Sequence, residues 1–468
     1  MPERRHDFRL GEWLVQPDQN RVSRGHDSAQ LEPKMMDVLV FLASRAQQVV
    51  SKAEITDAVW VEKFISESAV TRAIAGLRRA LGDDAQHPRY IETISKRGYR
   101  LMPEVARSAA PAAPEPSAHP ADVGTPARPY AVGQWVRGAH FYGRTTQLAE
   151  ILDGPRDGLW IMSTRAIGKT SLLRHLEHLA GASPERRLVP LYWDLQGAAT
   201  VAELHSLFHD ALLDAEPHLT GHGIDVGAIA HSDLFTTLGR LRRALSSRSL
   251  KLLLLADEVE ELIHLHAADP SLLRKLRRAL QSTSDIRAVL ASSPRLWTLS
   301  AQRDHTSPFL HGFTPPVYLP PLTDDEAEAL LRQRQHEPPL AVDQATVTAV
   351  RDVCGNHPYL LQLVGSLAAE LGDVEAAFER AAVDQTVAFF FAVDLELLSD
   401  TERAIVRVLA GRDRAGETTL GRTGEVDGAV LAASLYNLTG LGLVRRDDDG
   451  RYRLSNRLFR EWLVRTTV

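Results

Sequence analysis

The chain has 468 residues, 44% hydrophobic and 24% charged, the balance of a globular protein of about three domains. Its 54 lysines and arginines against 60 carboxylates give a net charge of −6, which excludes a uniformly basic nucleic-acid binder but not a locally basic one. The single cysteine, Cys354, excludes an internal disulfide framework and a zinc finger. The longest purely apolar run, Val387 to Val393, is seven residues, short of the roughly 18 of a spanning helix. The first ten residues lack the apolar core of a secretory signal. A cytoplasmic protein with no membrane contact is expected.

Residues 8–32 alternate and turn like short strands, with Pro17-Asp18-Gln19-Asn20 as a turn. Met35, Val38, Leu39 and Leu42 then repeat at helical spacing. Ser51 with Glu54 makes a capping box for a second helix. A third helix runs from Ser68 to about Leu81. It buries Val70, Ile74, Leu77 and Leu81 and exposes Thr71, Arg72, Ala75, Arg78 and Arg79. Residues 90–101 form a hairpin tipped by Lys96, Arg97 and Gly98. Over residues 1–104 the charges nearly cancel, 16 basic against 15 acidic, but over 68–100 they stand at 7 against 3. This is the pattern of a winged helix-turn-helix whose third helix enters a major groove and whose wing tip reaches phosphates.

LRRALGDDAQHPRYIETISKRGYRL resembles the hallmark of OmpR/PhoB-type DNA-binding domains, in the version that opens CadC- and ToxR-like regulators. The resemblance covers about residues 8–102. It implies double-stranded DNA as partner, with Ser68 opening the recognition helix. Thr71, Arg72 and Ala75 would face the groove, Arg78 and Arg79 would lie near the backbone, and Lys96 and Arg97 would sit on the wing. Ala75 stands where relatives often carry a polar or basic residue, which thins direct base readout.

From Val105 to Tyr130 six prolines and many alanines replace core-forming residues, so residues 105–135 are expected to be an extended linker. Beyond it, the apolar strand Trp160-Ile161-Met162 runs into Ser163-Thr164-Arg165-Ala166-Ile167-Gly168-Lys169-Thr170 and then a helix opening at Ser171. This is a P-loop in all but its first glycine, which is Ser163. Backbone amides, Ile167 and Gly168 among them, would cradle phosphates; Lys169 would neutralise them and Thr170 would ligate Mg²⁺. A side chain at Ser163 is expected to crowd the tight turn. Lys251 to Glu258 reads as a buried parallel strand ending in two carboxylates. Asp257 would serve Mg²⁺, and Glu258 would polarise an attacking water. A further strand ends at Ser292 and Ser293, where a hydroxyl facing the terminal phosphate and plain turn chemistry weigh equally.

Phe141-Tyr142-Gly143-Arg144 with Leu148, and Gly355-Asn356-His357-Pro358 further on, resemble the flanking motifs of STAND-type and archaeal-type ATPases of the AAA+ class. The resemblance covers about residues 138–385. It implies that ATP or ADP sits with Gly143 and Arg144 at one edge and Pro358 near the adenine. His205 with His209, and His175 with His178, lack a third ligand and are read as ordinary histidines. Phe389-Phe390-Phe391 is read as part of a core strand or helix. Residues 395–468 look like a second small winged helix. Its hairpin tip, Asp447-Asp448-Asp449, repels phosphate, which favours packing on the ATPase over binding DNA.

The expected organisation is multidomain α/β: a winged helix at 1–104, the linker at 105–135, a P-loop core at 136–322, a helical lid at 323–394 and a C-terminal winged helix at 395–468. The expected function is transcription regulation under a STAND-like ATP/ADP switch acting through homo-oligomer formation. Two rivals stand beside it: a DNA-stimulated AAA+ ATPase of replication-initiator or transposition-helper type, and a scaffold that holds nucleotide without hydrolysis. Ser163 leaves open whether the chain is a slow ATPase.

Overall fold

A computed structural model describes residues 8–17, 21–24, 27–31, 33–51, 54–55, 74, 77–78, 80–83, 88–94, 98–103, 105–107, 130–198, 200–231, 233–281, 284–299, 309–424 and 427–466. The chain divides into two units, Met1–Val123 and Gly124–Val468.

In the first unit, β1 (Phe8–Leu10), β2 (Trp13–Gln16), β3 (Arg21–Arg24) and β4 (Asp27–Gln30) form an antiparallel meander. The helix Pro33–Ser44 follows, then β5 (Val49–Val50), β6 (Ile91–Ile94) and β7 (Gly98–Leu101) in a second antiparallel sheet of order β5-β7-β6. The alternation of residues 8–22 works as period-2 patterning should: Phe8, Leu10, Trp13, Val15 and Val22 all enter one core with Met36, Leu39, Leu42, Leu77 and Leu101. Ser51 and Glu54 close the expected capping box, with Ser51 N–H donating to Glu54 at 2.9 Å and Glu54 N–H to the Ser51 hydroxyl at 3.2 Å. The linker starts later than its composition suggests. Val105–Arg107 forms β8, paired antiparallel to β1 as the fifth strand of the meander sheet.

The second unit is built on a parallel sheet of β9 (Gly158–Met162), β10 (Leu188–Asp194), β11 (Lys251–Asp257), β12 (Ile286–Ser292) and β13 (Val317–Tyr318), in the order β10-β11-β12-β9-β13. Both faces of β11 are covered, which is why its sequence reads as an unbroken apolar run. Leu252 and Leu254 enter one core with the helices Val201–Asp214, Leu234–Ser246 and Leu272–Gln281. Leu253 and Leu255 enter another, with the helices Thr145–Asp153 and Lys169–Ala182. From β9 the chain crosses to the edge strand β10 and returns through β11 and β12, which leaves β9 inside the sheet between β12 and β13, and the phosphate loop leaves from the C-terminal end of β9. That is where open α/β sheets leave a crevice.

The helices from Asp324 onward and the antiparallel hairpin β14 (Val444–Arg446) and β15 (Tyr452–Leu454) share one core. It runs from Leu331, Val364 and Phe391 through to Leu438, Phe459 and Leu463, so the lid and the terminal winged helix are packed as one body. The Phe391 and Phe459 rings lie 5.0 Å apart, and Arg457 pairs with Glu375 at 2.6 Å. At Gly355, which ends the helix Gln344–Cys354 with φ +58, a Cβ would stand 2.1 Å from the Ser455 carbonyl oxygen. Tyr130 also belongs here and not to a linker: it is buried in this core, and its hydroxyl donates to the Leu331 carbonyl at 2.7 Å. Among the described residues no helix is long and apolar enough to cross a membrane.

Candidate functional site

β9 delivers the loop 163–168 to the N-terminus of the helix Lys169–Ala182, and Gly168 takes φ +101 at the junction. That conformation is open to glycine at no steric cost. Ser163 does not crowd the turn as expected. It is fully buried, its φ is not positive, and its hydroxyl donates to the Thr164 carbonyl at 3.1 Å. The loop therefore needs glycine at Gly168 and not at its first position.

β11 brings Asp257 to the same end of the sheet. Thr170 Oγ1 donates to Asp257 Oδ2 at 2.7 Å, and the Tyr192 hydroxyl donates to the same oxygen at 3.0 Å. Burial pushes the Asp257 carboxyl upward, against hydrogen bonds from Thr170 and Tyr192 and the charge of Lys169. Lys169 Nζ donates to the Thr164 carbonyl at 3.1 Å, a neutral acceptor weaker than a phosphate oxygen. Glu258 follows in the left-handed region, φ +50. Burial first, then the charge of Glu260, raises its carboxyl to about 7.

A cavity of about 350 Å³ opens over these groups. Arg165, Ile167, Gly168, Lys169, Thr170, Ser171 and Glu258 line one side, and Leu330, Pro358, Tyr359 and Phe390 the other. Gln134, Trp135 and Val136 close a third side, and Val136 N–H donates to the Ser171 hydroxyl at 3.1 Å. A phosphate chain fits the loop amides and Lys169. Mg²⁺ fits a hydroxyl and a buried carboxylate in contact, because it takes few protein oxygens and completes its shell with phosphate and water. No group of three or more His, Cys, Asp or Glu side chains forms a protein-only metal cage among the described residues.

Other expected residues are placed differently. Arg144 lines the cavity, but its guanidinium is buried and spent on the Pro320 and Ile167 carbonyls, while its amide donates to Glu326 at 2.8 Å. It ties the loop to the lid. Gly143 is outside the cavity lining; it has φ +77, and a Cβ there would strike Glu326 at 2.4 Å. Ser293 is also outside the lining, its amide donating to Glu260 at 3.1 Å and its buried hydroxyl without a partner among the described residues. His175 stacks on Phe141 at 4.2 Å, and burial lowers it to about 4. The sequence reading missed Tyr192, Trp135, Phe390 and Asp394. Asp394 accepts the Arg165 amide at 3.1 Å.

In the first unit, Ser68, Thr71, Arg72, Ala75, Arg79, Lys96 and Arg97 lie outside the described residues. Arg78 is engaged within its own domain. Its Nη2 donates to the Ile91 carbonyl and the Thr93 hydroxyl, both at 2.8 Å, bracing its helix against β6. Asp83 accepts the amides of Arg89, Tyr90 and Ile91 and so fixes the start of the same strand.

Residues 26–101 match the family "Transcriptional regulatory protein, C terminal". The transcriptional activator CadC of Escherichia coli is 44% identical over 95 residues, 20% of this chain and 19% of that protein. The transcriptional regulator HilA of Salmonella typhimurium is 36% identical over 120 residues, 25% of this chain and 21% of that one. The chain thus spans about a fifth of the length of these relatives. A Walker-type ATPase of Pyrococcus abyssi superposes with a TM-score of 0.51 at 19% identity, over 70% of this chain and 98% of that one, a likeness of fold. The chain therefore joins a winged-helix domain of the OmpR/PhoB type to a unit with the fold of a P-loop ATPase.

Proposed function

We propose that the protein is a DNA-binding transcription regulator in which ATP or ADP, held with Mg²⁺ in the second unit, sets the state of the lid and the terminal winged helix. One observation carries the reading. The Thr170–Asp257 hydrogen bond places a P-loop hydroxyl on a buried carboxylate, at a cavity whose far wall is the lid. Lys169 and the loop amides would bind the phosphates, Thr170 and Asp257 would hold the metal, and Glu258 would take a proton from water. Mg²⁺ when bound neutralises phosphate charge. The wall that closes the cavity shares a core with the terminal winged helix, so nucleotide would bias that whole body. Residues 1–107 would be the DNA-binding part and residues 108–129 the tether. Homo-oligomer formation would follow the nucleotide state.

Nucleotide analysis of the purified protein tests this. Co-purified ADP, or micromolar Mg²⁺-dependent ATP binding that Lys169→Ala removes, is the expected result. A protein that binds neither nucleotide sinks the reading. The scaffold alternative is favoured by the surroundings of Glu258, where burial and the nearby Glu260 press toward the neutral form, which takes no proton from water. Bound ATP that persists without turnover would select it.

A further inference from the structure

The helix Leu234–Ser246 carries Arg240, Arg242 and Arg243, and the helix Leu272–Gln281 carries Arg274, Lys275, Arg277 and Arg278; neither contains a carboxylate. Both are crossovers between neighbouring parallel strands, from β10 to β11 and from β11 to β12, taken in the same direction across the sheet. Right-handed crossovers of that kind lie side by side on one face, and the two helices are in contact. Leu238, Leu241, Leu273, Leu276 and Leu280 point into the shared core. The cations are left on the outside, where Arg240, Arg243, Arg274, Lys275 and Arg278 are exposed.

An ordinary solvated helix face interleaves both signs. Here Arg240 and Arg243, Arg274 and Arg277, and Lys275 and Arg278 are three apart, and Arg274 and Arg278 are four apart. Like charges at these spacings destabilise a helix, and neither helix supplies a carboxylate to relieve them. Among the described residues Arg240, Arg242, Arg243 and Arg278 form no ion pair, and Lys275 meets Asp269 at 4.0 Å. Between the helices runs a groove of about 330 Å³, floored by Phe235, Leu238 and Ala279 and rimmed by Arg242, Lys275 and Arg278. The whole chain carries a net charge of −6, so this concentration is not background. All but one of the cations are arginines, whose planar fork suits phosphate oxygens.

We propose that this face binds the phosphate backbone of duplex DNA, without reading sequence, as a second DNA contact in the same chain. Charge complementarity selects a polyanion, and the winged-helix domain brings that polyanion to hand. A tether converts the second contact into an intramolecular one with a raised effective concentration. None of the cations lines the nucleotide cavity, so the contact stands or falls independently of nucleotide binding.

The test uses the full-length protein and a fluorescent duplex of arbitrary sequence, titrated by anisotropy between low and moderate salt. Arg242→Ala/Lys275→Ala/Arg278→Ala should weaken binding about tenfold at low salt and lower the slope of log K against log salt by about two to three, since each neutralised phosphate contributes about 0.9. Removing equal charge elsewhere, with Arg334→Ala/Arg380→Ala/Arg446→Ala, should change neither. Arg242→Lys/Arg278→Lys should keep the slope, separating lost charge from lost packing. Wild-type affinity and slope in the triple alanine variant overturn the proposal. So does competition by polyglutamate that matches DNA charge for charge through these residues, which would make the partner an acidic protein.

Discussion

Asp394 and Arg165 stand 229 positions apart and meet at the phosphate loop, the carboxylate accepting the loop amide at 3.1 Å. Asp394 lies on the helix Gln385–Glu396, whose Phe390 lines the cavity and whose Phe391 packs against Phe459. One helix thus touches the loop, the cavity and the last helix of the chain. A carboxylate beside the phosphate loop opposes an incoming polyphosphate. Asp394→Asn keeps an oxygen acceptor for the Arg165 amide and removes the charge. ATP affinity measured by calorimetry should rise several-fold, and ADP affinity by less. Weaker binding of both would mean that the carboxylate organises the loop and does not oppose its ligand.

The same residue gives a pH signature. Burial first raises Asp394 from 3.8 to about 6, with the Arg165 amide, Lys169 and Arg165 pulling the other way. A folded-state value above the unfolded one means a stabilising contribution fully present below about 3.8 and lost as pH rises through about 6. The displacement corresponds to about 3 kcal/mol at most. Asp394→Asn should therefore gain in melting temperature relative to wild type between pH 5 and pH 8. Parallel melting curves across that range would contradict the burial assigned to the carboxyl.

Glu258→Gln should retain ATP without weakening its binding, because the amide keeps the shape but accepts no proton. Asp257→Asn should instead weaken only the Mg²⁺-dependent part of binding. Single-turnover assays alongside binding with and without Mg²⁺ separate the two. If both variants turn over ATP like wild type, the carboxylates have been assigned the wrong roles.

Trp135 is 49% exposed at the rim of the cavity, placed to stack on a ligand ring. Adding ADP should change the protein's tryptophan emission, and Trp135→Phe should abolish most of that change while preserving binding. An unchanged signal in Trp135→Phe would put the base elsewhere.

Arg72→Ala should weaken specific DNA binding, and Lys96→Ala should weaken all duplexes alike with a shallower salt slope. Genomic selection followed by anisotropy on the selected sites reads both. Equal loss on every sequence for both variants would remove the distinction between groove and wing.

The loop and its carboxylate strand were legible because each is local: strand, phosphate loop and helix follow one another at 158–182, and five apolar residues lead to Asp257 and Glu258. Asp394 and Phe390 were not, because only the fold of the lid carries them to the loop, and Trp135 was not, because it lies at the end of a stretch whose composition reads as linker. Composition also misled at both ends of the Pro-rich stretch. A short strand such as Val105–Arg107 needs no apolar run when it is itself the edge of the sheet, paired only with β1, and Tyr130 with the Ala131 amide, which donates to Gln362 at 2.9 Å, anchors the chain to the lid. Ser399 begins a helix with a full capping box just past the expected boundary at 394–395, yet that local boundary does not separate cores. The basic helices were in plain view, but only the strand order makes them neighbours.

The seam at Gly355 has a mechanical meaning. Side chains cushion most interfaces, since a rotamer change absorbs small displacements. Here the main chain of the lid rests on the main chain at Ser455, with no room for a single methyl group. Such a joint has no side chain at position 355 to act as a spacer, so the close approach of the two main chains there depends on glycine.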